Sequence, residues 1–141
     1  METVKFVVNG TLMRGLELEK NLLNVKAVFI REIKTAKCYR LWSIGDRHPA
    51  MLRVDAADEL AVQVETELWE IPCAGLASVL QKEPEGLSVG KVLLENGEMV
   101  LGVIGEPWLV KTGTEISRFG GWRRYIRERA KTKSAAGKEE V

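Results

Sequence analysis

From Ala61 to Ile71 the residues AVQVETELWEI alternate with period two. Val62, Val64, Thr66 and Leu68 fall on one side, and Gln63, Glu65, Glu67 and Trp69 on the other. Successive strand side chains point to opposite faces, so this pattern describes a β-strand with an apolar face on a core and a half-polar opposite face. Other segments supply partners for it. Val4 to Val8 reads as a buried strand, and Val25–Lys34, Cys38–Ile44 and Met51–Val54 are rich in β-formers. Val89–Leu94 and Glu98–Ile104 flank Glu95-Asn96-Gly97, a hairpin signal because Asn-Gly accepts positive φ angles.

Helices are short by the same reading. Leu16 to Leu23 fits a helix better than strand alternation, and Pro72 stands where one can begin. Leu76, Val79 and Leu80 recur at helical spacing after it, with an end expected before Pro84. A last amphipathic helix is expected from Trp122, and residues 131–141 (KTKSAAGKEEV) have too little apolar content for a core, so they read as a mobile tail. About seven strands and two or three short helices predict an α+β domain over residues 1–130, a mixed and partly closed β-barrel.

A chain of 141 residues suits one core rather than two. Lys and Arg total 21 against 20 Asp and Glu, a net charge of +1, so no global field points to nucleic acid or to a membrane surface. No apolar run approaches the roughly 20 residues of a membrane span, and the N-terminus lacks the pattern of a secretory signal. The expected location is cytoplasmic. Cys38, Cys73 and the one histidine do not form a metal-spaced set, so neither metal nor cofactor is expected. The serines lack the Gly-x-Ser-x-Gly setting of a hydrolase nucleophile. Arg123, Arg124, Arg127 and Arg129 read as a solvated helix face, and the four tryptophans as packing residues.

Two places carry candidate chemistry. The first strand runs into Asn9-Gly10-Thr11-Leu12, with Arg14 close behind. Such a loop can present consecutive backbone N–H groups as an anion-binding nest with Arg14 adding charge, and it also fits an ordinary tight turn. His48, in the turn cluster Gly45-Asp46-Arg47-His48-Pro49, can serve as an acid or base near neutral pH or as a structural hydrogen-bonding residue. Glu83 and Glu85 flank Pro84 in a loop and read, on the residues alone, as solvated.

Resemblance adds to this. NGTLMRG is similar to the YGTL motif that ends the first strand of gamma-glutamylcyclotransferase-like proteins, where the loop holds a small carboxylate-bearing substrate; Asn9 stands at the usual Tyr. Glu85-Gly86-Leu87 before a strand resembles the Glu-Gly pair that supplies the general base there, a role suited to a carboxylate whose pKa partial desolvation raises. The stretches YRLWSIGDRHPAMLRV, VETELWEIPCAGLASVL, GLSVGKVLLENGEMVLGVIGE and ISRFGGWRRYI resemble the C-terminal domain of allophanate hydrolase, from about Val4 to Ile126. That domain follows an amidase domain with a Ser-cisSer-Lys triad. In some members it is implicated in decarboxylating N-carboxycarbamate, and in others it is chiefly structural. Fused members tend to carry GAHL in the first loop, with histidine where Thr11 stands here.

The resemblance implies a gamma-glutamylcyclotransferase-like fold and an enzyme or binder for a compact carboxylated or carbamoylated amine. Glu85 would be the acid/base, and Asn9, Gly10, Thr11, Leu12, Arg14 and His48 would line the binding site. The other implied role is a non-catalytic module that docks on a separately encoded amidase-signature protein. A homo-oligomer is compatible with either.

Overall fold

The computed structural model describes residues 2–139. β1 (Thr3–Val8) and β5 (Glu65–Pro72) pair antiparallel at the heart of a five-stranded sheet, with Phe6 opposite Trp69 and Val7 opposite Leu68. β2 (Val28–Lys34) pairs with the far side of β5. The hairpin of β6 (Leu87–Leu93) and β7 (Met99–Gly105) joins through a parallel β1–β7 contact, completing the order β2-β5-β1-β7-β6. A second sheet has the order β4-β3-β8, from β3 (Tyr39–Ile44), β4 (His48–Arg53) and β8 (Thr114–Glu115). The α+β reading holds. The sheets do not close into a barrel; instead an isolated bridge, Thr35 to Leu94, joins the ends of the edge strands β2 and β6, and another, Tyr39 to Val62, ties β3 to the segment before β5.

The interior position of β5 explains why its alternation is only half informative. Leu68 is in the core, as the pattern requires, but Glu67 and Trp69 on the other face are buried as well, each 1% exposed. Both faces of β5 are covered at Glu67 and Trp69, so Glu67 is an internal ion-pair partner, while Glu65 and Glu70 remain exposed. Its strand also starts later than the alternation suggests, at Glu65, because Ala61 to Val64 form only a bridge. At the hairpin, Gly97 alone takes a positive φ (+86°), and its N–H donates to the Leu94 carbonyl at 2.9 Å. The Asn-Gly signal therefore marks a tight turn with one left-handed residue instead of two.

Four helices fill the connections: α1 (Glu19–Asn24), α2 (Cys73–Gln81), α3 (Pro107–Val110) and α4 (Trp122–Glu139). α4 continues through residues 131–139, where the composition predicts a tail; residues 140–141 lie outside the described part. Its first turns are anchored: Tyr125 Oη donates to Asp46 Oδ1, Arg129 pairs with Asp46 at 2.9 Å, and Arg123 pairs with Glu67 at 3.0 Å. These partners account for two of the four clustered arginines. Once nucleated on the core, a helix extends outward at one backbone hydrogen bond per added residue. Among the described residues no helix is long and apolar enough to cross a membrane.

Candidate active site

The loop after β1 sits between the two sheets. Asn9, 4% exposed, donates from Nδ2 to the Val103 carbonyl on β7 (3.0 Å) and toward Met51 Sδ on β4 (3.8 Å), so one side chain pins the loop to both. Gly10 is needed for space. It does not adopt a positive φ, but a Cβ there would lie 2.5 Å from Pro49 Cδ. The loop's hydrogen bonds use its carbonyls: Gly10 accepts from Met13 N–H (2.9 Å) and Thr11 from Leu18 N–H (2.8 Å). The N–H groups of Gly10, Thr11 and Leu12 donate to no protein acceptor among the described residues. Three successive donors of this loop are thus left without a protein partner.

Two spaces open on it. A recess of about 10 Å³ is lined by Asn9, Gly10, Thr11, Leu12, His48 and Glu83 among others. It has room for about one water-sized group. A larger cleft of about 550 Å³ shares Thr11 and His48 with the recess and is walled by Glu17, Arg47, Glu85 and Trp108. His48 therefore joins the Gly10 loop at the site. It starts β4 and is 7% exposed, and its Nδ1 lies 3.0 Å from the Pro49 carbonyl oxygen. A carbonyl only accepts, so Nδ1 carries a proton, and in the neutral form of the ring Nε2 is the acceptor. Nε2 has no protein partner, yet no side-chain nitrogen or oxygen among the described residues is both sealed from solvent and unpartnered. Nε2 is therefore not sealed from solvent, and His48 lines both spaces. The same reasoning leaves Asn9 Oδ1 open as an acceptor.

Two expectations change. Arg14 lines neither space. Its Nε pairs with Glu67 Oε2 at 3.2 Å, its Nη2 with Glu32 Oε1 at 3.0 Å, and its guanidinium lies 3.5 Å from the centroid of Phe29. Its charge is committed to Glu67, which also accepts from Arg123 and from Trp69 Nε1. Arg14 is thus held by Glu67 and Glu32, two residues that wall a separate cavity of about 490 Å³ along β2, β5 and α4.

The second change concerns the carboxylates. Glu85 lines the cleft beside Trp108 but is exposed, so the desolvation expected of a general base is not met there. Gly86 sets its position: φ is +91°, and a Cβ would come within 2.9 Å of Leu109 and Trp108. Glu83, two residues earlier, is the carboxylate that reaches the recess. It is partly buried, and desolvation alone pushes its pKa up to about 7. Nothing in Glu-Pro-Glu separates the two; only the path of the chain out of α2 decides which one faces inward. Elsewhere, Asp46 is held below the usual carboxylate range by hydrogen bonds from Ser43 and Tyr125, which fixes the turn that delivers His48.

The sequence profile described as the allophanate hydrolase C-terminal domain matches residues 4–127. The chain belongs to that family. It is 32% identical over 142 residues to the urea amidolyase of Lachancea kluyveri, a match covering 94% of this chain but only 8% of that protein. Among solved structures, a uropathogenic E. coli-specific protein is 48% identical with a TM-score of 0.85, and the match covers 89% of this chain and 97% of that one. The allophanate hydrolase of Kluyveromyces lactis is 29% identical with a TM-score of 0.83, covering 91% of this chain and 22% of the enzyme. A mouse aig2-like protein, 19% identical at a TM-score of 0.59 over 77% of this chain and 83% of that one, shows the shared gamma-glutamylcyclotransferase-like fold. The domain is thus a small part of the curated relatives it matches. Among the described residues no group of three or more His, Cys, Asp or Glu is arranged to hold a metal.

Proposed function

We propose that this domain of the allophanate hydrolase C-terminal family is a small-molecule enzyme or binder for a compact carboxylated or carbamoylated amine. The observation that carries this reading is that Gly10, Thr11 and Leu12, whose N–H groups are unengaged, line one recess together with His48, whose Nε2 is not sealed from solvent. A carboxylate suits the three donors, and the N–H groups of an amide or amine suit the acceptors Asn9 Oδ1 and His48 Nε2. The recess admits only one small group, so the body of the ligand belongs in the cleft, against Trp108 and with Glu85 at its mouth. Arg14 has no direct part in this arrangement.

Titration of ¹⁵N-labelled protein with pyroglutamate and with N-carbamoylglycine tests it. The amide resonances of residues 10 to 12 should shift together and saturate. Gly10→Ala should weaken binding by at least about tenfold, because the added methyl collides with the Pro49 ring. Shifts scattered over the surface, with the loop amides still, would contradict the reading.

The second reading is a module that docks on a separately encoded amidase-signature protein. It is favoured by the share of urea amidolyase that the chain spans and by the free edge of β2, where Val28 is 62% exposed and Ile30 protrudes at a bulge. Under this reading, charged substitutions at Val28 and Ile30 abolish co-elution with the amidase and leave the loop amides' response to ligands intact.

A further inference from the structure

We propose that Glu83 and His48 form the proton-transfer pair of the recess: the Glu83 carboxyl gives a proton to a ligand held on the Gly10 loop, and His48 Nε2 takes one from it. The step leaves a carboxylate and an imidazolium, which reset by proton exchange with water in the open cleft. The proposal rests on the ligand reading above and assigns its chemistry to Glu83 instead of the Glu85 of the Glu-Gly pair.

Position comes first. Glu83 and His48 line the recess together with Gly10, Thr11 and Leu12, whereas Glu85 lines only the cleft. Partnering comes second. Among the described residues no cation and no hydrogen-bond donor acts on the Glu83 carboxyl, and burial alone raises it to about 7. A partly buried carboxyl without a donor works against the fold, a situation typical of functional sites. His48 is complementary: its Nδ1–H is spent on the Pro49 carbonyl, so Nε2 is the acceptor and it is open. The Glu83 carboxyl can hold a proton near neutral pH, and Nε2 is the ring position left for accepting one, the two roles that an acid and a base in one step require. The other charged groups facing the site are Glu17 before α1, Arg47 in the β3–β4 turn, and Glu85.

Two measurements on the full chain decide the matter. ¹³C-detected titration of the side-chain carboxyls should show Glu83 protonating near neutrality, with or without ligand. Pyroglutamate affinity should fall about tenfold from about pH 6 to about pH 8, as a carboxylate forms beside the bound one. That fall should vanish in Glu83→Gln and survive in Glu85→Gln. The His48 Nε2 resonance should move toward its hydrogen-bonded value when pyroglutamate binds. A Glu83 that titrates in the ordinary carboxylate range, or a pH slope that persists in Glu83→Gln, overturns the pairing while responsive loop amides leave the ligand reading intact. Loop amides that never respond to pyroglutamate defeat the ligand reading and the pairing with it.

Discussion

Trp69→Ala is expected to lower the unfolding free energy by about 3–5 kcal/mol, a large share of what a domain of this size possesses. Trp69 is 1% exposed on the interior strand β5, opposite Phe6 on β1 and Phe29 on β2. Phe29 meets it edge-on, with ring centroids 5.8 Å apart at 76°. Removal of the indole loses this contact area and leaves a cavity between strands that cannot easily collapse, because both neighbours are held by their ladders. It also deprives the buried Glu67 of the donor Nε1 at 3.2 Å. Trp69→Phe keeps most of the volume and should cost about 1–2 kcal/mol, chiefly the lost hydrogen bond. Urea unfolding curves of the three proteins measure both values. A Trp69→Ala cost below about 1.5 kcal/mol would show that the residue packs loosely, contrary to the register.

The second large effect depends on pH and has the opposite sign. Glu83→Gln should stabilise the protein by about 2–3 kcal/mol above neutrality, or about 5–10 °C in melting temperature, and leave it unchanged in mild acid. The carboxyl is raised from an ordinary 4.5 to about 7, so the folded state holds its proton more tightly than the unfolded chain. Stability is therefore fully present below about pH 4.5, declines as pH rises between the two values, and is lowest above about 7. Glutamine carries no charge and escapes the decline. Thermal melts of both proteins at about pH 4.5, 6 and 8 measure the gap. A difference that does not widen with pH would place Glu83 in ordinary solvent.

Much of the sheet was legible because alternation and β-branched content are local signals. Strands β1, β3, β6 and β7 lie close to their expected places for that reason. The burial of Glu67 was not legible, since its partners Arg14 and Arg123 come from distant segments. Viewed alone, Glu-Leu-Trp-Glu is the polar edge of a half-buried strand. Separation of the sheets was likewise invisible: it depends on pairings between distant segments, with Tyr39 and Val62 meeting only at an isolated bridge. The continuation of α4 past Ala130 follows from anchoring at Asp46 and Glu67, which composition does not report.

At the site, the loop Asn9 to Leu12 was legible as a donor-bearing turn, but the reason for its glycine was not. Gly10 answers to the Pro49 ring, a contact made in three dimensions only. His48 could be singled out as the one histidine, and its delivery by a turn locked through Asp46 accounts for its place. The selection of Glu83 over Glu85 reflects how Pro84 and Gly86 direct the chain, one carboxylate toward the recess and the other into the open cleft.

The account stands or falls on the Gly10 loop as a carboxylate site. A crystal of the protein soaked with pyroglutamate tests it most directly. The predicted result is density in the cleft with a carboxylate oxygen about 2.7–3.2 Å from the N–H groups of residues 10 to 12 and the lactam N–H turned toward His48 Nε2 or Asn9 Oδ1. Ligand density confined to the cavity beside Glu67 and Arg123, with none at the loop amides, would contradict it.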